Sequence, residues 1–415
     1  MTWQLDLLMF LALVVVIMSG FPVAFSIAGV AVLFACLGWL TGAMDISLLG
    51  AFGQRVFGLI SNQVLIAIPL FVFMGALLEK SRIAEELLDT MGRAFGQLRG
   101  GLGISVILVG TLLAASTGIV GATVVAMGMI ALPTMLRAGY DPRVSSGIVC
   151  TAGTLGQIIP PSTLLIILAD VMSNAYQQAQ YEQGKFSVEA LSVGQFFAAA
   201  LVPGLVLVSL YLVYVLLRGV LRPHDMPPTD SSQSRPARVD ILAAIVPPIL
   251  LIFAVLGSIL GGIATPTEAA AVGAVGALLM SGARLDRHRR VIMMAAGAFI
   301  LLAMLAGMFP VRLQRDDLSA GSHALGGVYI ALAVVGVLGI LAALRNVLNQ
   351  RMIQDAATST MTMTAMIFAT ILAAGMFSLV FIGLGGEERV THWLENLPGG
   401  PTGALLVTML IIFFM

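Results

Sequence analysis

Apolar stretches of membrane-spanning length recur along nearly the whole chain. They occupy residues 5–19, 22–40, 56–79, 102–116, 119–136, 146–169, 196–217, 241–260, 262–280, 291–309, 324–344, 361–384 and 402–415. About 20 apolar residues span the hydrocarbon core as a helix, and most of these runs approach that length. With 59% apolar and 10% charged residues, the chain has more apolar surface than a water-soluble core can bury. The sequence therefore predicts an all-α polytopic membrane protein and excludes a soluble enzyme.

Charge and cysteine content exclude several other classes. Lys+Arg and Asp+Glu both number 21, so the chain offers no basic face for nucleic acid. Cys36 and Cys150 lie in apolar runs, which predicts packed thiols rather than a disulfide framework or a metal site. The sequence patterns of zinc peptidases, serine hydrolases and nucleotide-binding loops are absent. We therefore expect neither enzymatic activity nor an organic cofactor.

Basic residues are distributed unevenly between alternate loops. All but five of the 21 lie in or at the edges of the loops 80–99, 137–143, 218–238, 284–290 and 345–351; the exceptions are Arg55, Lys185, Arg312, Arg315 and Arg389. The positive-inside rule places those five loops in the cytoplasm. The two short runs 102–116 and 119–136 must then enter the membrane and return on the same side. This predicts a re-entrant helical hairpin, although two short tilted spans would give the same sidedness.

The run 146–169 contains an unusual interruption, Gly-Thr-Leu-Gly-Gln-Ile-Ile-Pro-Pro-Ser-Thr at 153–163. Two adjacent prolines remove two backbone donors, so carbonyls around Gly153–Gln157 lose their helical partners. A cation held by carbonyls and hydroxyls would replace those partners. Pro161 suits the first position of a new half-helix, whose positive end with Ser162 attracts a carboxylate. The sequence thus predicts a broken helix with a binding site; a simple packing kink is the alternative.

Three further polar segments are candidate sites. The small and hydroxyl residues at 115–123, including Ser116, Thr117, Gly118 and Thr123, suit either ion ligation or close helix packing. Thr265, Pro266 and Glu268 have the spacing of a capping box, which explains the carboxylate structurally. The threonines between 358 and 364 suit a cavity lining or bonds to their own helix. Asp170 is interpreted as an interfacial cap at the end of its span.

The segments between the apolar runs divide into three kinds. Glu79–Gln97 places Ile83, Leu87, Leu88 and Met91 on one face, which predicts an amphipathic helix at the cytoplasmic interface, with a solvated linker helix as the alternative. Arg222–Arg238 is rich in Pro, Ser and Asp and predicts a flexible connector. The 171–194 loop is expected to cover the outer side.

At these residues the chain resembles the large membrane subunit of tripartite ATP-independent periplasmic (TRAP) transporters. The similarity rests on GTLGQIIPPS (153–162), STGIVGATVVAMG (116–128), LPTMLRAGYD (132–141) and GIATPTEAAAVGA (262–274), and extends from FPVAFSIAG (21–29) to the Thr-rich stretch. The resemblance implies an inverted-repeat, elevator-type secondary transporter of the bacterial inner membrane, with re-entrant hairpins and a broken helix in each half. It also implies Na⁺ coupling, a periplasmic substrate-binding protein and a separate small membrane subunit.

The resemblance assigns the site residues by position. Na⁺ would bind at Ser116, Thr117, Gly118, Gly153, Thr154 and Gly156. The substrate would bind at Thr117, Gly118, Thr123, Gln157, Pro160, Pro161, Ser162 and Thr163. Many members have Ser-Gly-Ser at the hairpin tip, where this chain has Thr117-Gly118-Ile119, so one hydroxyl is missing unless Ser116 or Thr123 substitutes.

The resemblance also divides the chain. Residues 1–99 would supply scaffold helices and the interfacial helix, 100–172 the first transport half, 173–345 scaffold helices with the connector 218–240, and 346–415 an incomplete second transport half. The second broken segment is expected after Met415, and an extra pair of spans near 291–344, with the loop Arg312–Asp317, departs from the family layout.

The function expected from these features is import of a small organic acid driven by a sodium gradient. A sodium/anion symporter without a binding protein and a membrane scaffold protein without transport activity remain as alternatives.

Overall fold

The computed structural model describes residues 5–117, 120–229, 237–285, 289–308 and 320–414. Across these ranges the chain forms α-helices and two short 3₁₀ turns, with no strand. The helices are α1 Leu5–Met18, α2 Val23–Leu40, α3 Ala51–Ser61, α4 Ala67–Lys80, α5 Ile83–Phe95, α6 Gly101–Thr117, α7 Val120–Arg137, α8 Pro142–Thr154, α9 Thr163–Glu182, α10 Val193–Leu221, α11 Arg238–Leu260, α12 Pro266–Arg284, α13 Arg289–Met308, α14 Ala320–Asn349, α15 Met352–Gly383, α16 Gly386–Glu395 and α17 Gly400–Phe414. The predicted all-α polytopic class is confirmed.

Within the described ranges, five helices are long and apolar enough to cross a membrane, namely α2, α10, α11, α14 and α15. The side chains on them are largely exposed in the isolated chain. In α10, α11 and α14 only 17% of the residues in the most apolar 18-residue stretch are buried. Helices apolar all round and exposed in this way belong in lipid, as the sequence predicts.

The chain forms two compact units. The first comprises Met1–Asn62 and Thr362–Met415. Its core includes Met9, Val30 and Val380, and the Phe10 ring meets the Phe377 and Phe381 rings edge-on with centroids 5.3 and 5.2 Å away. Asp6, only 2% exposed, pairs with Arg389 at 2.5 Å, which neutralises a carboxylate that would otherwise be costly to bury.

The second unit, Gln63–Met361, holds the hairpin and the broken helix. In it α4 packs along α12, and α13 along α14. At Gly282 of α12 an added Cβ would lie 2.7 Å from the Ala343 Cα of α14. Small residues permit this close helix approach, as is common between membrane helices.

Helices α6 and α7 form a hairpin closed at its base. The Tyr140 hydroxyl, after α7, accepts a hydrogen bond from the Leu102 N–H at the start of α6, at 3.2 Å. Burial raises the pKa of Tyr140, so the phenol stays protonated throughout the neutral range. The helical hairpin is confirmed, while its re-entrant placement stays a prediction.

The connector after α10 is partly ordered by the hairpin base, which corrects the prediction of a flexible 222–238 linker. Residues 222–229 are called here the strap. The Met226 carbonyl accepts a hydrogen bond from the Gly100 N–H at 3.3 Å, and the Asp225 carbonyl accepts one from the Asp141 N–H at 2.9 Å. The Thr229 N–H donates to the Gly96 carbonyl at 2.8 Å, and Met226 is fully buried. Residues 230–236 of the predicted connector lie outside the described ranges.

Other predicted boundaries also change. The run 56–79 is two helices, because α3 ends at Ser61 and α4 begins at Ala67. Helix α9 continues to Glu182, so the predicted outer loop 171–194 shortens to 183–192. Cys36 and Cys150 are exposed rather than packed, because Cys36 lies on an outward face of α2 and Cys150 on an outward face of α8.

The remaining predictions for these segments divide by outcome. The amphipathic helix is confirmed as α5, which buries Ile83, Leu87, Leu88 and Met91. The pair of spans near 291–344 corresponds to α13 and α14, while its loop Arg312–Asp317 lies outside the described ranges. The predicted division into transport and scaffold parts stays a prediction.

Candidate functional site

The helix predicted to be broken is interrupted between α8 and α9. Helix α8 starts at Pro142, with Asp141 Oδ1 accepting hydrogen bonds from the Arg143 and Val144 N–H groups at 2.9 and 3.1 Å. It ends at Thr154, a 3₁₀ turn covers Leu155–Gln157, and α9 begins at Thr163. Residues 158–162 carry irregular backbone and a cis Pro160-Pro161 bond. The break is thus a true gap between two helices and not a bend in one.

Two prolines without N–H groups and one hydroxyl determine the hydrogen bonding at the break. Pro160 and Pro161 have no N–H, so the carbonyls of Gly156 and Gln157 lose the donors that a continuing α-helix would supply. The Ser162 hydroxyl donates to the Gln157 carbonyl at 2.8 Å and accepts from the Leu165 N–H at 3.4 Å. Ser162 therefore both caps α9 and replaces the donor that Pro161 removed.

The hairpin packs directly on the break. An added Cβ at Gly153 would collide with the Val124 side chain and lie 2.9 Å from its Cα, and one at Gly110 would lie 2.7 Å from the Ala152 Cβ. Thr123, beside Val124, is only 2% exposed. On another side, a Cβ at Gly204 of α10 would lie 3.3 Å from Ile159. These glycines allow α6, α7 and α10 to enclose the break.

The structure places most of the predicted site residues around this break. Gly153, Gly156, Pro160, Pro161, Ser162 and Thr163 are buried there, and Gln157 is half-buried. Thr154 is exposed and its hydroxyl donates to the Thr151 carbonyl at 2.8 Å. Ser116 and Thr117 end α6, but their side chains and all of Gly118 lie outside the described part of the chain. The assignment of these residues to ion and substrate binding therefore stays a prediction.

The capping box predicted at Thr265 is present, and two of the threonines between 358 and 364 bond to their own helix. The Thr265 hydroxyl accepts from the Glu268 N–H at 3.3 Å, and Glu268 Oε2 accepts from the Thr265 N–H at 2.8 Å, with Pro266 at the first helical position. Thr358 and Thr360 bond to carbonyls of their own helix at 2.9 and 2.7 Å. None of these contacts requires a ligand.

A cavity of about 510 Å³ lies beside the N-terminal ends of α10 and α12, near the middle of α9. Asp170, Ser173, Ser192 and Glu268 contribute its polar lining. Asp170 was predicted to end its span as a cap, but it lies in the interior of α9, because that helix continues for three further turns. The position of Asp170 in the sequence, next to an apolar run, does not predict this cavity.

Comparisons with known proteins agree with this architecture. The family model for the DctM component of tripartite ATP-independent periplasmic transporters matches residues 10–307 and 292–415. The C4-dicarboxylate TRAP transporter large permease protein DctM of Pseudomonas aeruginosa is 35% identical over 241 residues, which cover 57% of this chain and 52% of that protein. The ectoine/5-hydroxyectoine TRAP transporter large permease protein UehC of Ruegeria pomeroyi is 30% identical over 272 residues, which cover 65% and 58%.

A third relative, the sialic acid TRAP transporter large permease protein SiaM of Vibrio cholerae, is 27% identical over 266 residues, covering 63% of this chain and 55% of that protein. The chain spans little more than half the length of these curated relatives. The family match covers nearly the whole chain, and the fold is helical throughout the described ranges. The chain therefore belongs to the DctM-component family of tripartite ATP-independent periplasmic transporters.

Proposed function

We propose that the chain is the large membrane subunit of a Na⁺-coupled TRAP transporter that imports a small organic acid. The family is one of transporters rather than enzymes, and its members are multi-pass inner-membrane proteins. The relatives are named for C4-dicarboxylate, ectoine or sialic acid, which supports a small substrate carrying a carboxylate. A periplasmic binding protein and a separate small membrane subunit would complete the transporter.

The observation that carries this proposal is the gap between α8 and α9 against the hairpin. Irregular backbone at membrane depth is tolerated where it is buried in protein or lines a cavity, and secondary transporters use such gaps as binding sites. Here the gap is enclosed by α6, α7 and α10.

In this proposal the cargo Na⁺ is bound by oxygen atoms without a formal charge. Among the described residues no group of three or more His, Cys, Asp or Glu side chains is placed to hold a metal, so carbonyls and hydroxyls are the available ligands. The Gly156 carbonyl, whose helical donor position is Pro160, is the first of them, with Gly153, Thr154, Ser116, Thr117 and Gly118 completing the predicted set.

The substrate carboxylate is assigned to the start of α9. The positive end of this 20-residue helix favours an anion through its first N–H groups and its dipole. Pro160, Pro161, Ser162 and Thr163 lie at that end, and Gln157 and Thr123 lie nearby, with Thr117 and Gly118 expected from the hairpin tip.

The test is uptake by the complete transporter reconstituted in vesicles with an imposed Na⁺ gradient. Replacing both prolines of the break (Pro160→Ala with Pro161→Ala) restores two backbone donors, so a carbonyl ligand is lost. We expect the half-saturating Na⁺ concentration to rise about tenfold for a ligand worth roughly 1.4 kcal/mol. The matched control is Pro247→Ala with Pro248→Ala, since that proline pair lies inside the continuous helix α11.

Equal Na⁺ dependence in the two double variants would contradict the proposal. Omitting the periplasmic binding protein separates the remaining alternative: sustained uptake without it would identify a sodium/anion symporter of another type. Absence of any exchange for a panel of small acids would indicate a protein that does not transport.

A further inference from the structure

A second cavity, of about 310 Å³, lies between α6, α8 and α10 at the end where the basic loops occur. Its polar lining includes Arg143, Arg218, Tyr211 and Tyr214. Residues 155–163 of the break do not line it. It is therefore separate from the candidate ion and substrate site.

Two arginines line the cavity, and one of them is paired with a carboxylate. Arg218 donates to Asp225 Oδ2 from Nε at 3.2 Å and from Nη2 at 2.8 Å, and donates to the Tyr214 hydroxyl from Nη1 at 3.2 Å. The Asp141 carboxylate, the acid beside Arg143, accepts backbone N–H groups as the cap of α8. No acidic side chain is among the described lining residues, so the charge of Arg143, which has no carboxylate partner among them, favours an anion in the cavity.

The remaining walls are apolar. Ile107, Val144 and Ile148 line the inner wall and are nearly buried. The accessible part of the lining beside them is formed by Gly147 and the Tyr214 ring, which are exposed. A freely soluble anion would leave this wall unused. A charged group joined to a hydrocarbon chain would contact both parts.

The position of the cavity matches the headgroup region of a bilayer. Arg218 and Tyr214 lie in the last two turns of α10, one of the helices long and apolar enough to span a membrane. Arg and Tyr at the ends of spanning helices lie at the membrane–water interface, and basic pockets between spanning helices on the cytoplasmic side bind anionic headgroups.

We propose that this cavity binds the phosphate of an anionic phospholipid in the cytoplasmic leaflet, with Arg143 and Arg218 as its cationic partners and an acyl chain along Gly147 and Tyr214. This proposal is independent of the transported substrate and of Na⁺ coupling.

The test compares lipid retention by the purified protein. The protein is incorporated into phosphatidylcholine nanodiscs with and without phosphatidylglycerol, extracted in detergent, and its bound lipids are identified by native mass spectrometry. We expect phosphatidylglycerol to be retained in preference to phosphatidylcholine. Arg143→Gln should weaken that retention about fivefold, as for one basic residue near an anionic surface, and Arg143→Lys should preserve most of it.

A second variant changes the shape of the cavity and leaves its charge intact. Gly147 lines the cavity, and a Cβ there meets no atom within 4 Å, so Gly147→Leu should fold and fill the space. We expect it to abolish selective phosphatidylglycerol retention. The matched control for Arg143→Gln is Arg137→Gln. Arg137 lies at the same end of the hairpin but outside the cavity lining, and its Nε donates to the Pro133 carbonyl at 3.2 Å.

Equal retention of the two lipids by the unsubstituted protein would overturn the proposal, as would equal losses in Arg137→Gln and Arg143→Gln. Inorganic phosphate and succinate provide a further arm, measured as thermal stabilisation in lipid-free detergent. Saturable stabilisation by either anion that disappears in Arg143→Gln, without lipid selectivity, would identify a soluble anion and not a lipid as the ligand.

Discussion

A single hydroxyl joins the two sides of the helix break. Ser162 Oγ donates to the Gln157 carbonyl and accepts from the Leu165 N–H, and the residue is fully buried. Its removal would leave a buried carbonyl without that donor and the first turn of α9 without its cap. Both losses destabilise the folded state.

We therefore expect Ser162→Ala to lower the free energy of unfolding by about 2 kcal/mol and to lower the thermal midpoint in detergent. Ser146→Ala is the matched control, because Ser146 is exposed and bonds only to carbonyls of its own helix, at 2.9 and 3.2 Å. Equal midpoints for the two variants would show that the contact at the break contributes nothing measurable.

Gly153 provides a second prediction at this scale, because a methyl group there has no room. We expect Gly153→Ala to destabilise the protein by about 1–3 kcal/mol through overpacking against Val124, although alanine is the better helix former. Gly128→Ala on α7 is the control, since its Cβ would meet no atom within 4 Å. The thermal midpoint of each variant measures the difference, and an unchanged midpoint in Gly153→Ala would contradict the close packing.

At the scale of helices, two proline pairs show how much the sequence could predict. Pro160-Pro161 interrupts the chain, whereas Pro247-Pro248 lies inside the continuous helix α11. The difference lies in the neighbours: Ser162 can cap a new helix, whereas Ile249 and Leu250 cannot. The break, the capping box at Thr265 and the buried face of α5 were predictable because each depends on residues close in sequence.

Features that depend on distant residues were not predictable. The strap looked flexible because its composition is rich in turn formers, yet Gly96, Gly100 and Asp141 provide its partners. The packing of Gly153 on Val124 and the cavity at Arg143 likewise require knowledge of which helices are neighbours. Hydropathy also merged α3 and α4 into one run, because the turn at 62–66 contains apolar residues.

The strap leads to a prediction about local opening at the hairpin base. Met226→Ala should loosen it, since truncating a fully buried methionine costs about 2–5 kcal/mol. We expect faster hydrogen exchange at the amides of Gly100 and Thr229, which bond across this contact. Met129→Ala is the control because Met129 is 67% exposed, and equal exchange rates in both variants would show that the strap does not depend on this anchor.

At the scale of the whole molecule, the sidedness of the chain follows from its basic loops. In a background with Cys36→Ala and Cys150→Ala, we expect Lys185→Cys to react with a membrane-impermeant maleimide in intact spheroplasts. Arg137→Cys should react only in inverted vesicles. The reverse pattern would overturn the assignment of the hairpin base to the cytoplasm.

The structure shows what the hydropathy profile does not, namely which parts of the chain pack together within each compact unit. Apolar run lengths were sufficient to predict the class and most helices, because hydrocarbon thickness constrains them. The grouping of residues 1–62 with 362–415 depends on contacts such as Asp6 with Arg389, far apart in sequence. The predicted division into transport and scaffold parts stays a prediction.

The bond between Ser162 and Gln157 has a consequence for any cargo ion at this point. A carbonyl oxygen has two lone pairs, and the Ser162 hydroxyl occupies one of them. A cation bound at the second lone pair would share the oxygen with that donor, which already neutralises part of the negative charge of the oxygen. Such an oxygen holds a cation less tightly than a carbonyl without a donor would, and a carrier that must release its ion on every cycle benefits from the weaker hold.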